Sequence, residues 1–323
     1  MRQMTGRDGA DEDRDADEDD LGGGDGRTPL TGPSPVTGRR IQPEFPIERV
    51  AEKTGRDPAL LGRWVAAIER KGQAILHGPP GVGKSHLARE LARHLVGGGD
   101  GFARQLVMHA STTYEDFVQG YRPQTRADGT VQWPLLRGRF LLFAERALDR
   151  TGRCVLVLDE MHRAELGRVL GELVHLLEYR GEPMPLASGD HPFILPTNVR
   201  ILGTMTTGPE GEGPLGTTDL VLRRRFAFLR VTADHDVLRR YHARTGFPIE
   251  GLLTVLGRVD QAIRDPDKAL GLSYFLREDL ADTIEDVWRF EVEPMLDALL
   301  CDRPAEAARL RWDAVRWRIL GTG

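Results

Sequence analysis

Residues 74–85 of this 323-residue chain read Ala-Ile-Leu-His-Gly-Pro-Pro-Gly-Val-Gly-Lys-Ser, and a helical pattern from His86 to Leu95 begins at once. An apolar run that ends in a glycine-rich loop and passes straight into a helix leaves few folds open. Gly78, Gly81 and Gly83, with Pro79, Pro80 and Val82 between them, can turn successive backbone N–H groups inward. That arrangement makes an anion nest at a helix N-terminus. Lys84 adds a point charge for the β- and γ-phosphates, and the Ser85 hydroxyl suits Mg²⁺. The segment Gly78 to His86 therefore predicts a nucleoside-triphosphate site. The competing reading, a glycine turn that binds nothing, accounts for neither the preceding strand nor the following helix.

Four further segments read as strands: Arg104 to His109, Cys154 to Leu158, Arg200 to Met205 and Phe226 to Val231. Cys154 to Leu158 is apolar throughout, the mark of a central parallel strand buried on both faces. Helical patterns fall between them, at Gly138 to Arg150 and Leu166 to Tyr179. Ahead of the first strand, Asp57-Pro58 and Gly72 bracket a helix with N-cap, first-turn proline and terminal glycine in place. Such alternation predicts an α/β fold, a parallel sheet sandwiched by helices. Two insertions with a hairpin look interrupt it, Val118 to Arg137 (around Asp128-Gly129) and Gly181 to Pro196. Beyond Ala233 the spacing is helical, with Leu252, Leu253, Leu256, Val259 and Ile263, then Ile284 to Leu299. The expected organisation is a tail over 1–44, a nucleotide-binding α/β domain with its N-terminal helix over 45–232, and a helical domain over 233–323.

The net charge of −5 is unevenly spread. Nine acids between Asp8 and Asp20 stand against Arg14 alone, a local −8, so the other residues carry about +3. The tail, acidic and then rich in Gly and Pro, has too little apolar surface to offset the entropy of ordering, and disorder is expected there. It reads as a solubilising extension, with a docking tail or nucleic-acid mimic as the alternatives. Cys154 and Cys301 make no disulfide framework in a chain of this length. No apolar run reaches membrane-span length and the N-terminus is acidic, which together predict a cytoplasmic chain without membrane contact.

Leu158-Asp159-Glu160 brings two carboxylates out at the C-terminal edge of the buried strand, where open α/β sheets bind ligands. Asp159 suits the Mg²⁺ shell, and Glu160 suits the base that activates water. Thr204-Met205-Thr206-Thr207 closes the next strand. One of these hydroxyls can sit between γ-phosphate and water, or bond its own turn. Leu222-Arg223-Arg224-Arg225-Phe226 precedes the last strand. It reads as a basic patch, or as fingers reaching a neighbouring copy's γ-phosphate. The nine histidines have no metal-ligand spacing, and His162 and His175 stand singly; no metal site beyond Mg²⁺ is expected. No N-K-x-D guanine-reading motif occurs.

Together these residues resemble the AAA+ superfamily, and within it the dynein-related group of MoxR-type ATPases and McrB-type restriction GTPases. Tyr114-Glu115-Asp116-Phe117-Val118-Gln119-Gly120-Tyr121-Arg122-Pro123 is McrB-like, as is Asp159-Glu160 through Arg163-Ala164-Glu165-Leu166 to Leu177-Glu178. Gly203-Thr204-Met205, Leu222 to Phe226 and Leu272-Ser273-Tyr274-Phe275 add to it. The likeness covers about residues 72 to 300. It implies a P-loop (ASCE-type) α/β domain with a helical lid, in a ring, hexameric in the family's manner, with sites at subunit boundaries. Lys84, Ser85, Asp159 and Glu160 then act in cis, and Arg224 and Arg225 in trans, on ATP or GTP with Mg²⁺. The hairpins become pore or partner elements. His162 stands where the family's D-E-x-N-R has asparagine, and Thr206 occupies the sensor asparagine position with a shorter group offering one donor. The acidic extension would be repelled by phosphates, so no direct sequence-specific nucleic-acid contact is expected. Recognition and cutting then belong to a separately encoded partner, McrC-like or, in the MoxR arrangement, von Willebrand-type. A nucleotide-dependent scaffold that barely hydrolyses is the second reading. A small-molecule kinase is the third, weakened by the acid pair and the arginine cluster.

Overall fold

The structure, a computed structural model, describes residues 40–189, 192–207 and 220–321. Residues 1–39 of the expected tail, and most of the glycine-rich loop leading to Leu222, lie outside the described residues.

Five strands form one parallel sheet. They are β1 (Gln73–Gly78), β2 (Ala103–Val107), β7 (Cys154–Asp159), β8 (Val199–Thr206) and β9 (Ala227–Arg230), in the order β2-β7-β8-β1-β9. All six residues of β7 are buried. Its side chains alternate between two cores: Cys154, Leu156 and Leu158 enter one, and Val155 and Val157 the other. β1 divides likewise, Ile75 to the first and Ala74 and Leu76 to the second. A strand must be apolar at every position when helices cover both faces, which is why these runs lack the polar alternation of a half-exposed sheet. This is the parallel α/β sandwich that the alternation of apolar runs and helical patterns predicts.

Helices α1 (Ile47–Thr54), α2 (Pro58–Lys71) and α3 (Lys84–Val96) cover the second core. Asp57 caps α2, its carboxylate accepting the N–H groups of Ala59 (3.3 Å) and Leu60 (3.1 Å), an arrangement worth about 1 kcal/mol. Gly72 ends α2 at φ 83°, in the left-handed region. On the other face lie α4 (Tyr114–Phe117), α5 (Arg139–Leu148), α6 (Leu166–Leu170) and α7 (Leu173–Leu176). The single helix expected over Leu166 to Tyr179 is broken at Gly171, where a Cβ would meet the Tyr114 ring at 3.0 Å. The Tyr114 hydroxyl donates to Glu172 Oε1 at 2.6 Å, so the ring fills the break.

The first insertion is a bent ribbon. β3 (Gln119–Tyr121) pairs with β6 (Leu135–Arg137), and β4 (Gln124–Thr125) with β5 (Val131–Gln132), closing on Asp128-Gly129. In the second, only Met184 and Phe193 pair among the described residues.

After α8 (Leu220–Arg225) and β9, the chain is helical: α9 (His235–Thr245), α10 (Ile249–Ile263), α11 (Leu280–Val287), α12 (Glu293–Leu299), α13 (Pro304–Ala308) and α14 (Trp312–Ile319). These build a third core running from Val237 to Ile319, centred on Trp288, whose indole N–H donates to Leu310 O at 2.9 Å. The apolar spacing from Ile284 to Leu299 reads as one helix, but a π-helical turn at Trp288–Val292 separates α11 from α12. Pro294, in the first turn of α12, cannot donate to the carbonyl a turn earlier, and the helix widens just before it.

Candidate nucleotide site

Parallel register brings the chemistry-bearing residues to one sheet edge. Gly78 at the end of β1 lies beside Thr206 at the end of β8, and Leu158, one residue before the acid pair, lies beside Gly203. The loop after β1 is shaped by contacts a side chain would prevent. A Cβ on Gly78 would fall 2.0 Å from Val231 O. Gly81, at φ 72°, would place one 3.0 Å from Gly271 Cα, and the Ser273 N–H donates to Gly81 O at 3.0 Å. Gly83, at φ 86°, opens α3 with no atom near where a Cβ would project. The cradle is thus braced by the lid residues Gly271 to Ser273.

Lys84 is buried, and its Nζ donates to Gly78 O (3.0 Å) and Pro79 O (2.7 Å). Burial brings its pKa down to about 8, against the pull of Glu160 and Asp159 in the other direction. Ser85 Oγ donates to Asp159 Oδ1 at 2.6 Å, joining the loop to the end of β7. The Thr204 hydroxyl donates to the same oxygen, and Gln105 Nε2 donates to Oδ2 at 2.9 Å. A hydroxyl and a carboxylate held this way are hard oxygen donors of the kind Mg²⁺ takes together with substrate phosphates, so the residues fit that ion.

Glu160 takes left-handed backbone angles (φ 56°, ψ 40°), a conformation costing about 1–3 kcal/mol for a residue with a side chain. Its N–H donates to Thr204 Oγ1 at 3.0 Å, and its carbonyl accepts from Arg163 N at 2.9 Å. Thr204, wholly buried, therefore locks both acids at once. The Thr207 hydroxyl does not bond its own turn: it donates to Asp267 O at 2.9 Å, tying β8 to the C-terminal helical region. Thr206 is half-buried at the strand end, with its N–H donating to His162 Nδ1 at 3.3 Å.

Arg224 and Arg225 stand apart from this group. Gln73, the first residue of β1, donates from its side chain to Arg225 O at 2.6 Å, which sets α8 at the opposite end of the sheet from Gly78. A six-residue strand spans about 16 Å, beyond the reach of any arginine from there to its own cradle. Arg225 is largely buried and pairs with Glu178 at 3.2 Å, whereas Arg224 is exposed.

Beside the cradle opens a cleft of about 470 Å³, lined by Val82, Gly83, His86 and Leu87 of the loop and α3, by Lys53 to Arg56, and by Val237, Arg240, Tyr241, Leu272 and Leu276. Arg56 is buried and donates to Val82 O (3.2 Å) and Thr232 O (2.9 Å), fixing the cleft floor to the cradle. Mostly apolar walls with a few polar groups at this volume suit a nucleobase and ribose. Gln105, Arg56 and the cleft went unread in the sequence. The only local signals are a glutamine inside a short strand and an arginine just before a helix cap.

Cradle, hydroxyl, acid pair and strand order agree with what residue comparison finds. Residues 73–226 match the AAA domain family (dynein-related subfamily). Over that stretch the chain is similar to the dynein-related AAA domains. The type IV methyl-directed restriction enzyme EcoKMcrB subunit of Escherichia coli (strain K12) is 34% identical over 219 residues, 63% of this chain and 46% of that protein. The chain thus aligns with less than half the length of that relative. Among the described residues no helix is long and apolar enough to cross a membrane.

Proposed function

We propose that this chain binds a nucleoside triphosphate with Mg²⁺ and hydrolyses it in a ring of its own copies, as the motor subunit of a system whose effector is another chain. The observation that carries the reading is the 2.6 Å contact between Ser85 and Asp159 at the mouth of the cradle, with Glu160 next in sequence. In this reading 45–232 is the nucleotide-binding domain and 233–323 the lid, and the cleft beside Arg56 takes the base.

The inward N–H groups of Gly81 to Ser85 and the Lys84 ammonium hold the phosphates, Lys84 exchanging its two carbonyl partners for phosphate oxygens. Ser85 and Asp159 hold Mg²⁺, which supplies charge neutralisation at the β- and γ-phosphates. Glu160 takes the proton of the attacking water. The water oxygen bonds to γ-phosphorus as the bridging P–O bond to the nucleoside diphosphate breaks. Thr206 borders the γ-phosphate. Arg224 and Arg225 lie too far from their own cradle, so they serve a neighbour's, with Arg224 the more accessible of the pair. The restriction-enzyme relative supports a separately encoded, McrC-like effector, and a MoxR-like chaperone arrangement is the alternative.

Glu160→Gln is expected to retain nucleotide and release no phosphate, with ATP and GTP compared side by side. Particle mass is expected to rise with a non-hydrolysable analogue. A chain that stays monomeric at high concentration with saturating nucleotide would overturn the ring. One observation favours a second reading, a scaffold that binds nucleotide and scarcely hydrolyses it: Thr206 offers a hydroxyl where the family resemblance expects an amide. Wild-type turnover no faster than that of Glu160→Gln would select it.

A further inference from the structure

The Glu160 carboxylate is held from one side. Its Oε2 lies 3.1 Å from Arg163 Nε and 3.5 Å from His162 Nε2, while among the described residues Oε1 accepts no hydrogen bond. The other ring nitrogen of His162, Nδ1, faces the backbone N–H of Thr206 at 3.3 Å. A backbone N–H can only donate, so Nδ1 is the acceptor and the ring proton sits on Nε2, the nitrogen facing Glu160. Burial keeps the ring below the usual histidine range, which favours this neutral form.

The imidazole therefore spans from the end of β8 to the acid after β7. We propose that His162 is a positioning residue for Glu160, donating from Nε2 to Oε2 so that Oε1 is left to meet water, and that Thr206 sets the ring tautomer that makes this possible. The inference rests on the reading of Glu160 as the base. Glu160 has need of such a hold. Its backbone is strained, its side chain is only partly buried (26% exposed), and its other partner, Arg163, is 63% exposed. A guanidinium alone would fix the charge but not the direction of the carboxylate. A ring anchored to the strand end fixes both.

Four variants of the full chain test this: His162→Ala, His162→Phe, His162→Gln and Glu160→Gln. Expected is a fall in kcat of about tenfold or more for the Ala and Phe variants, a part of the 10²–10⁴ that a general base contributes, with KM and nucleotide affinity changed less than about twofold. Gln can accept from Thr206 and donate to Glu160, and is expected to recover kcat to within about threefold of wild type; Phe keeps the ring volume but has neither group. The inference is overturned if His162→Phe keeps wild-type kcat, if the loss appears in KM alone, or if Gln does no better than Phe. Should His162→Ala fail to fold, the Gln and Phe comparison still decides. If Glu160→Gln turns over at the wild-type rate, the base assignment itself falls. If Glu160→Gln is inactive and His162→Phe is normal, only the role of His162 falls.

Discussion

Raising the pH from 7 to 9 should weaken nucleotide binding through one proton on Lys84. In the empty cradle the ammonium is buried against two carbonyl oxygens, and its pKa is about 8 where an ordinary lysine has 10.5. Polyphosphate brings negative charge to Nζ and stabilises the protonated form, returning the pKa toward its ordinary value. With those two limits, the protonated fraction of the empty site falls from about 0.9 at pH 7 to about 0.1 at pH 9, while the bound site stays protonated. Kd should therefore rise about tenfold over that interval, and binding at pH 9 should take up ~0.9 proton. Titration calorimetry in two buffers of different ionisation enthalpy reads the proton directly. The γ-phosphate does not confuse the count, because a phosphate monoester loses its last proton near pH ~6. Lys84→Met is the control: weak binding with no uptake. An unchanged Kd, or binding at pH 9 without proton uptake, refutes the argument. The sign for folding is the reverse. Between about pH 8 and pH 10.5 the unfolded chain holds a proton that the empty fold has lost, so stability should rise with pH there.

Gly78→Ala should be destabilised by about 1–3 kcal/mol or more in chemical denaturation, because its Cβ would sit 2.0 Å from Val231 O and must push β9 away; an unchanged midpoint would mean that the strand end yields freely. Thr204→Val keeps the shape but strips a buried acceptor from the Glu160 N–H, at a cost of about 1–3 kcal/mol, and it frees both acids, so turnover should fall alongside the midpoint. Mixing Lys84→Ala with Arg224→Ala should restore phosphate release that neither variant shows alone. About a quarter of the interfaces in a randomly mixed ring would pair an intact cradle with an intact arginine. No recovery, with mixed rings verified by mass, would argue against fingers in trans.

The cradle was legible because its chemistry is local. A strand, three glycines, a lysine and a serine occupy neighbouring positions, and the angles that point N–H groups at a phosphate are set within that stretch. Lengths and faces were legible for the same reason: Asp57 and Gly72 bracket α2, and the apolar runs of β1 and β7 announce burial on both sides. Boundaries slipped where a distant group intervened. The Tyr114 ring splits a helical pattern at Gly171, and no periodicity within 166–179 registers a ring brought there by α4.

His162 marks the division most clearly. As a residue in the chain it was one of nine histidines without a partner, because sequence spacing describes neighbours along one helix or strand, and its partners are a carboxylate after β7 and an N–H at the end of β8. Gln105 reaches Asp159 from β2, and Arg56 reaches Val82 and Thr232 from ahead of α2. Residue order alone determined that a phosphate loop, an acid pair and strands buried on both faces exist in this protein, since each is written in consecutive residues. Which side chains hold the acids, and that Arg224 and Arg225 lie at the far end of β1 from their own cradle, was decided only by strand order and register. Those depend on how segments 40 to 150 residues apart bury their apolar faces together, and no window on the chain contains them.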